Sequence, residues 1–208
     1  MALEIIKVCG ITHPADAVAA VQAGATAIGM VFYAPSPRAV KTHEAAVIAA
    51  VVPPTALKVG VFVNEEPDRI RALAEAARLD VVQLHGDEGP ETVAALSGLR
   101  LWRAFRVGPQ FEPAVLDELQ GVEAFLLDGP AGDAYGGAGV PFAWEKAIEA
   151  ARYGKIIVAG GLDGSNVAEA IRISGPWGVD SSSKLERKPG EKDPAKVAAY
   201  VSAARQAG

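Results

Sequence analysis

The only cysteine of the chain, Cys9, stands at the end of the apolar run EIIKV and is followed by Gly10. A cysteine within a strand is usually a small buried hydrophobe. At the end of a strand, beside a glycine, a cysteine can instead present its sulfur to a ligand, and the thiolate can accept a proton. The residue type and position leave both roles open for Cys9.

Asp128 closes a second apolar run, AFLLD. A carboxylate at this point costs free energy unless it is paired or solvated, so its position needs a reason. Capping a helix or pinning the loop that follows is one explanation. A carboxyl group at such a site can also donate a proton to a substrate as a general acid. Asp128 and Cys9 are therefore a candidate acid–base pair.

Two further side chains are candidates for binding a ligand. Arg38 follows Pro35 and Pro37 in a loop longer than a simple connection needs. A planar guanidinium binds a carboxylate or a phosphate through two parallel hydrogen bonds, although a solvated loop arginine is the common alternative. Three roles are open for His85, in QLHGDE: a base, a group that orients another side chain by a hydrogen bond, or a core histidine whose hydrogen bonds are all made within the protein. No second His or Cys lies near it in sequence, so a metal site has little support.

Two loops near the C-terminus indicate a phosphate site. Gly160 and Gly161 let the backbone approach an anion closely because neither has a side chain. Ser182 and Ser183 offer hydroxyl and amide donors near the start of a helical turn. Each pair alone is explained by a tight turn or a helix cap. Together, in two successive loops, they favour phosphate binding.

Eight apolar runs must position these residues, and an Ala-rich amphipathic segment follows each of them. Most runs are apolar almost throughout, which is typical of a parallel sheet covered on both faces. The predicted strands are 4–8, 26–32, 57–63, 80–84, 99–105, 123–128, 155–159 and 177–181. The predicted helices are 13–23, 43–51, 67–77, 90–97, 111–120, 142–152, 165–173 and 193–206.

Strand followed by helix, eight times, predicts a single-domain (β/α)₈ TIM barrel over residues 1–208. A doubly wound open sheet is the alternative, since sequence does not show the order of the strands. In a barrel, active residues lie at the C-terminal ends of the strands and in the loops after them. The polar and glycine-rich candidates described above all occupy such positions.

Composition narrows the function classes. The formal charge of −5 comes without a cluster of Lys and Arg, so a nucleic-acid partner is not expected. No apolar stretch approaches the roughly 20 residues of a membrane span, and the N-terminal residues do not form a signal peptide. One cysteine excludes an intrachain disulfide and suits a reducing compartment. We expect a cytoplasmic protein whose partner is a small-molecule substrate.

Several motifs in this order closely resemble the phosphoribosylanthranilate isomerase family of tryptophan biosynthesis, over nearly the whole chain. KVCGIT, VQLHG and VAGGLDGSNV together are specific to that family. The matching stretches are KVCGIT, SPRAV, VGVFVN, VQLHG, LLD, GGAG with FAW, VAGGLDGSNV and the final VDSSS…E…PGEKD.

The resemblance implies an Amadori rearrangement of N-(5′-phosphoribosyl)anthranilate to 1-(2-carboxyphenylamino)-1-deoxyribulose 5-phosphate. It assigns the base to Cys9, which removes the proton from ribose C2′. It assigns the acid to Asp128, which protonates the ring oxygen as the furanose opens to a Schiff base. An ordinary thiol has a pKa of about 8.5 and an aspartic acid one of about 3.9. At neutral pH an ordinary thiol is therefore mostly protonated and an ordinary carboxyl group mostly ionised, the opposite of the forms that a base and an acid need.

The resemblance also implies the binding residues. Arg38 holds the anthranilate carboxylate, and His85 has a supportive role at the mouth of the barrel. No metal or organic cofactor is implied, because the substrate nitrogen supplies the electron sink. The chain is expected to be a monomer or a homodimer. The residues in the phosphate-binding segments are Gly160, Gly161, Asp180, Ser182 and Ser183.

The chain departs from the family pattern at four positions. Ala138 replaces a threonine in the loop after the sixth strand, and Ala143 replaces an aspartate. Ser181 replaces a valine and Lys184 a glycine in the last phosphate segment. If that glycine has a positive φ, Lys184 introduces backbone strain, whereas its ammonium could also add affinity for phosphate.

Other functions remain alternatives at this stage. A sugar-phosphate isomerase of histidine biosynthesis carries an Asp on strand one, where this chain has Cys9. Indole-glycerol-phosphate synthase needs a lysine on strand three, but Lys58 lies at the wrong end of that strand. A non-catalytic or differently specific barrel that binds a phosphorylated metabolite is the third alternative. Such a binder would tolerate Cys9→Ala and Asp128→Asn.

Overall fold

The computed structural model describes residues 3–129 and 143–208, and in these ranges eight parallel strands form a barrel. The strands are β1 (Ile5–Val8), β2 (Ala27–Val31), β3 (Leu57–Phe62), β4 (Val81–Leu84), β5 (Leu101–Arg106), β6 (Ala124–Asp128), β7 (Lys155–Val158) and β8 (Gly178–Ser181). Each strand pairs with its neighbours in sequence, and β8 pairs with β1. The predicted (β/α)₈ barrel is therefore confirmed, and the open sheet is excluded because the sheet closes.

Helices cover the outside of the barrel. They are α1 (Pro14–Ala23), α2 (Thr42–Val51), α3 (Pro67–Ala76), α4 (Pro90–Ala95), α5 (Glu145–Ala150), α6 (Val167–Ser174) and α7 (Pro194–Ala207). Prolines open α1, α3, α4 and α7, where the N–H that proline lacks would have no helical partner. Asp193 caps α7 by accepting the N–H groups of Ala195 and Lys196.

Two predicted helices differ from the structure. The segment predicted as helix 111–120 contains a 3₁₀ helix over Pro113–Glu118. Pro113 opens it and Gly121, with a φ of +93°, follows soon after, which leaves room for only a short helix. The helix predicted over 165–173 begins two residues later, so Ser165 lies before it. Its N–H and hydroxyl both donate to Asp163, and α6 begins at Val167.

A small antiparallel hairpin between β8 and α7 was not predicted. Its strands are β9 (Glu186–Lys188) and β10 (Glu191–Lys192), and Gly190 turns the chain with a φ of +82°. The Thr12 hydroxyl donates to the Gly190 carbonyl, and the Lys192 N–H donates to Asp16 at 3.0 Å. These bonds hold the hairpin against the loop after β1, at the C-terminal end of the barrel.

Side chains on β1 alternate between two apolar layers. Ile6 and Val8 pack in the layer between the strands and the helices. Ile5 packs inside the barrel, in a cluster that includes Trp102 and Trp177 near the N-terminal ends of their strands. Because successive residues of a strand face opposite sides, Lys7 and Cys9 share the inward face with Ile5. The barrel interior is therefore apolar at one end and polar near the other.

Candidate active site

One cavity at the C-terminal ends of the strands brings together most of the predicted site residues. They reach it from the ends of β1, β6 and β8 and from the loops after β2, β4 and β8. The remaining wall is largely apolar. The residues around the cavity are Cys9, Val31, Tyr33, Ser36, Arg38, Val61, Val63, His85, Asp128, Asp180 and Ser182.

Three predicted residues do not line this cavity. Gly160 and Gly161 lie in the loop after β7, and Ser183 lies after β8. The two glycines have φ values of +87° and +67°, the left-handed region that other residues rarely adopt. Since β7 and β8 are neighbours, these loops lie at the same end of the barrel as the cavity.

A buried ion pair forms the floor of the cavity beside Cys9. Lys7 Nζ donates to Asp180 Oδ2 at 3.0 Å, and the two residues are register partners on β1 and β8. Gly29 on β2 leaves room for both Lys7 and Cys9. A Cβ at Gly29 would lie 2.7 Å from the Cys9 sulfur and 3.1 Å from Lys7 Cε. The sulfur and the lysine side chain are therefore neighbours.

These surroundings affect the ionisation of both groups. Burial raises the pKa of the Cys9 thiol above its ordinary value, and Lys7 opposes that rise while Asp180 adds to it. Burial by itself would lower the pKa of Lys7, but the charge of Asp180 together with Cys9 holds it above its ordinary value. At neutral pH Lys7 is therefore charged, and Cys9 is mostly a thiol.

Asp128 faces His85 across the cavity. His85 Nε2 lies 3.6 Å from Asp128 Oδ2. On its other side, the Gln83 amide nitrogen lies 2.9 Å from His85 Nδ1. The Gln83 amide therefore holds the ring from its Nδ1 side, and Nε2 faces Asp128. His85 can thus orient the Asp128 carboxyl group.

Hydrogen bonds fix the loop that carries His85. The Glu88 carboxylate accepts the N–H groups of Asn64 at 2.7 Å and Gly86 at 2.8 Å. Arg103, which is 5% exposed, donates to the carbonyls of Glu88 and Gly86, both at 3.0 Å. The position of His85 is therefore set from β3 and β5 as well as from its own strand.

Arg38 is held by a carboxylate of the hairpin. Its Nε donates to Glu186 Oε1 at 2.8 Å and its Nη2 to Glu186 Oε2 at 2.7 Å. Lys192 Nζ donates to the same carboxylate at 2.9 Å. Nη1 of Arg38 has no hydrogen-bond partner within residues 3–129 and 143–208. It is the nitrogen of this guanidinium that is left to bind an anion.

Gly10 permits the approach of Arg38 to the end of β1. A Cβ at Gly10 would lie 2.6 Å from Arg38 Cδ and 2.9 Å from Ser182 Oγ. Gly10 also has a φ of +74°. A side chain at this position would separate Arg38 from the cavity, so glycine is required for both space and backbone conformation.

The structure shows the surroundings of three of the four residues that depart from the family pattern. Among the described residues other than glycine, positive φ occurs at Asn64 and Arg78, so Lys184 introduces no such strain. Lys184 is exposed in a 3₁₀ turn. The Ser181 hydroxyl donates to the Leu162 carbonyl. Ala143 is exposed, and the predictions for Ala138 and its loop lie outside the described residues.

Four buried polar residues at the site were missed by the sequence reasoning: Lys7, Gln83, Glu186 and Lys192. Lys7 and Gln83 do carry a local signal, since each interrupts an apolar run, IIKV or VVQL, at an inward position. Glu186 and Lys192 lie in a polar stretch, where nothing in the sequence separates buried charges from exposed ones.

A closed barrel with a thiol, a carboxyl group and a guanidinium around one cavity defines a class of protein. The chain is a (β/α)₈ barrel with a polar cavity at the C-terminal ends of its strands, the place where barrel enzymes carry their active sites.

Comparison with known proteins narrows that class. A sequence model described as "N-(5'phosphoribosyl)anthranilate (PRA) isomerase" matches residues 6–203. The N-(5'-phosphoribosyl)anthranilate isomerase of Solibacter usitatus is 54% identical over 203 residues, 98% of each chain. That of Geotalea daltonii is 45% identical over 201 residues, 97% of this chain and 96% of its own.

Solved structures agree. Phosphoribosyl anthranilate isomerase from Thermotoga maritima superposes with a TM-score of 0.91 at 32% identity, covering 98% of this chain and all (100%) of that one. The chain belongs to the N-(5′-phosphoribosyl)anthranilate isomerase family, the isomerases of tryptophan biosynthesis. The resemblance seen in the sequence is confirmed.

Within the described ranges, no helix is both long and apolar enough to cross a bilayer.

Proposed function

We propose that this isomerase works by general acid–base catalysis, with Asp128 as the acid and Cys9 as the base. The observation that carries the proposal is that both groups line one cavity. They stand at the ends of β6 and β1, which are not neighbours in the barrel. A ligand in the cavity can therefore meet one group on each side, as two successive proton transfers require.

The proposed steps balance as follows. Asp128 donates its proton to the ring oxygen, the C1′–O bond breaks, and the lone pair of the anthranilate nitrogen forms a C1′=N bond. The Cys9 thiolate then removes the C2′ proton. The C–H electron pair forms a C1′=C2′ double bond and returns a pair to nitrogen. The resulting enol becomes the 2-ketone as C1′ gains a proton and the C2′ hydroxyl loses one.

The two ends of the substrate would be held by different parts of the site. Arg38, through Nη1, would bind the anthranilate carboxylate. Gly160, Gly161, Ser182 and Ser183 would bind the phosphate in the loops after β7 and β8. In support, a structural neighbour with a TM-score of 0.88 is a complex with reduced 1-(o-carboxyphenylamino)-1-deoxyribulose 5-phosphate, which carries both groups.

The roles of His85 and Asp180 stay predictions. In this proposal His85 supports Asp128. Phosphate binding by Asp180 is not part of it, because the Asp180 carboxylate pairs with Lys7 in the cavity floor. The Thermotoga maritima isomerase is described as dimeric. For this chain, monomer or homodimer stays a prediction.

Turnover of freshly generated phosphoribosylanthranilate, followed by anthranilate fluorescence, tests the proposal. We expect Asp128→Asn to lose roughly 10²–10⁴-fold in kcat, because an amide cannot supply the proton. Cys9→Ser should be similarly slow, since a hydroxyl is a far weaker base at neutral pH.

The matched control is Asp117→Asn, which removes an exposed carboxylate in the 3₁₀ helix and should keep full activity. Full turnover by Asp128→Asn would remove Asp128 from the acid role. Full turnover by Cys9→Ser would do the same for the base.

A further inference from the structure

The ion pair beneath the thiol has no part in the steps above, yet it is almost entirely buried. Lys7 is 0% exposed, and the side chain of Asp180 is 8% exposed. The interior cluster on the N-terminal side is apolar. An apolar pair of similar volume often stabilises a protein as well as a buried ion pair does. Stability alone therefore does not account for Lys7 and Asp180 at this place.

We propose that Lys7 and Asp180 are positioning residues that set how readily Cys9 ionises. The Lys7 ammonium stabilises the thiolate, and Asp180 both holds the ammonium and limits that stabilisation. The Coulomb attraction between an ammonium and a neighbouring thiolate is strong where little water screens it. The inference deepens the proposed function, since it matters for turnover only if Cys9 is the base.

The donor inventory of Lys7 supports this role. An ammonium group carries three N–H donors. Lys7 Nζ donates one of them to Asp180 Oδ2 at 3.0 Å. Gly29 leaves room for the Cys9 sulfur beside the lysine side chain, and hydrogen bonding between the ammonium and this sulfur contributes to the raised pKa of Lys7. Among the described residues, Asp180 Oδ1 is buried without a hydrogen-bond partner, so the other oxygen of the carboxylate, Oδ2, makes the contact with Lys7.

Other charged groups face Cys9 from the elements around it. Lys192 of the hairpin and Arg38 of the loop after β2 are both committed to Glu186. Lys192 also donates to the Ser182 carbonyl at 3.1 Å. The three groups together keep one net positive charge, and Lys192 lowers the pKa of the Cys9 thiol too, but less than Lys7 does.

The remaining groups face Cys9 across the cavity. His85 and Asp128 line it from β4 and β6, and they contact each other. Lys7 on β1 and Asp180 on β8 are the charged pair adjacent to the thiol on its own side of the barrel. Changes at these two residues should therefore move the titration of Cys9 in opposite directions.

Alkylation of Cys9 measures this directly, because the chain has a single cysteine. The rate with iodoacetamide is recorded against pH and normalised to its alkaline plateau, so that differences in access cancel. We expect the midpoint of Lys7→Met to lie about one pH unit higher than that of the unmodified chain, about tenfold less thiolate at neutral pH. We expect the midpoint of Asp180→Asn to lie lower.

The barrel offers a matched control. Lys58 and Asp80 form a second Lys–Asp pair, at 2.6 Å, at the start of β3 and so at the opposite end of the barrel. Lys58→Met should leave the titration of Cys9 unchanged. Midpoints that stay in place, or that move the same way in Lys7→Met and Asp180→Asn, would overturn the inference, because a loosened structure predicts the same change in both.

Lys7→Met leaves Asp180 alone in the interior and can fail to fold. The double variant Lys7→Met with Asp180→Asn leaves no unpaired charge. Its midpoint should rise, by less than in Lys7→Met, because the lysine outweighs the carboxylate at the sulfur. A midpoint equal to or below that of the unmodified chain would contradict the inference.

The titration does not depend on turnover, so two failures can be told apart. If the midpoints move as expected while Cys9→Ser stays active, the ion pair tunes the thiol but the proposed base is wrong. If Cys9→Ser is inactive while the midpoints do not move, the acid–base proposal stands and the role of Lys7 fails.

Discussion

At the scale of the residue, Arg38 shows how one side chain serves both the fold and a ligand. The fork formed by Nε and Nη2 matches the two oxygens of Glu186. That match uses the bidentate geometry that the sequence suggested for a substrate group. What is left for an anion is the single nitrogen Nη1, held in place because the rest of the guanidinium cannot turn.

Arg38→Lys tests this division. The lysine keeps a positive charge but cannot occupy both oxygens of Glu186 and still reach the cavity. We expect KM for phosphoribosylanthranilate to rise about tenfold, the equivalent of about 1.4 kcal/mol for one charged hydrogen bond. The kcat should change less, since the acid and base are untouched. Steady-state kinetics measure both values.

The control for this substitution is Arg152→Lys, at an exposed position just after α5. It should leave both constants as they were. An unchanged KM in Arg38→Lys would mean that Nη1 does not bind the substrate.

At the scale of the element, the hairpin β9–β10 contributes one buried carboxylate to the site. Glu186 accepts two hydrogen bonds from Arg38, one from Lys192 and one from the Gly190 N–H at 3.3 Å. Burial by itself would raise the pKa of Glu186, but the bonds from Arg38 and Lys192 outweigh burial, and its pKa lies below the ordinary value. The hairpin therefore depends on an ionised Glu186.

This dependence predicts a pH effect on stability. A carboxyl group whose pKa is lowered by folding stabilises the protein above its unfolded pKa, and this contribution is lost as pH falls through the folded value. We expect Glu186→Gln to reduce the free energy of unfolding at pH 7 by about 1–3 kcal/mol. The difference between the two chains should shrink as the pH is lowered below about 4.3.

Urea unfolding at several pH values measures that difference. Glu118→Gln, at an exposed carboxylate, is the control and should cost little at any pH. A difference that stays constant from pH 7 to pH 3 would show that the charge of Glu186 is not what holds the hairpin.

At the scale of the whole molecule, the barrel closes where β8 meets β1. Gly178 pairs in register with Ile5, and a Cβ at Gly178 would lie only 2.6 Å from Ile5 Cβ and 3.1 Å from the Ile5 carbonyl oxygen. Because an interior atom so close must displace its neighbours, the glycine is required for the two strands to pair at this distance. The same pair of strands carries Lys7 and Asp180.

Gly178→Ala should therefore weaken closure. We expect a loss of about 1–3 kcal/mol in the free energy of unfolding, the usual cost of overpacking a core. Urea unfolding measures it. Gly108→Ala is the control, because a Cβ there meets nothing within 4 Å. Equal stability of the two variants would show that the strands can separate enough to admit a methyl group without loss.

Local sequence determined most of the fold and the catalytic candidates. Apolar runs and helix starts such as Pro14 and Pro194 depend on nearby residues, so eight strand–helix units were readable in order. Cys9 and Asp128 were readable because each follows a strand at the end where barrels place their sites. The glycine pair 160–161 was readable because backbone conformation is local.

Only the tertiary structure decided which side chains meet. Lys7 and Asp180 are 173 positions apart in sequence, and Arg38 and Glu186 are 148 apart. No local rule pairs such residues. Lys7 meets Asp180 because closure sets the register of β1 against β8, and Arg38 meets Glu186 because the hairpin packs beside the loop after β1. The sequence by itself thus determined the acid and base candidates, while closure of the chain decided the charges around them.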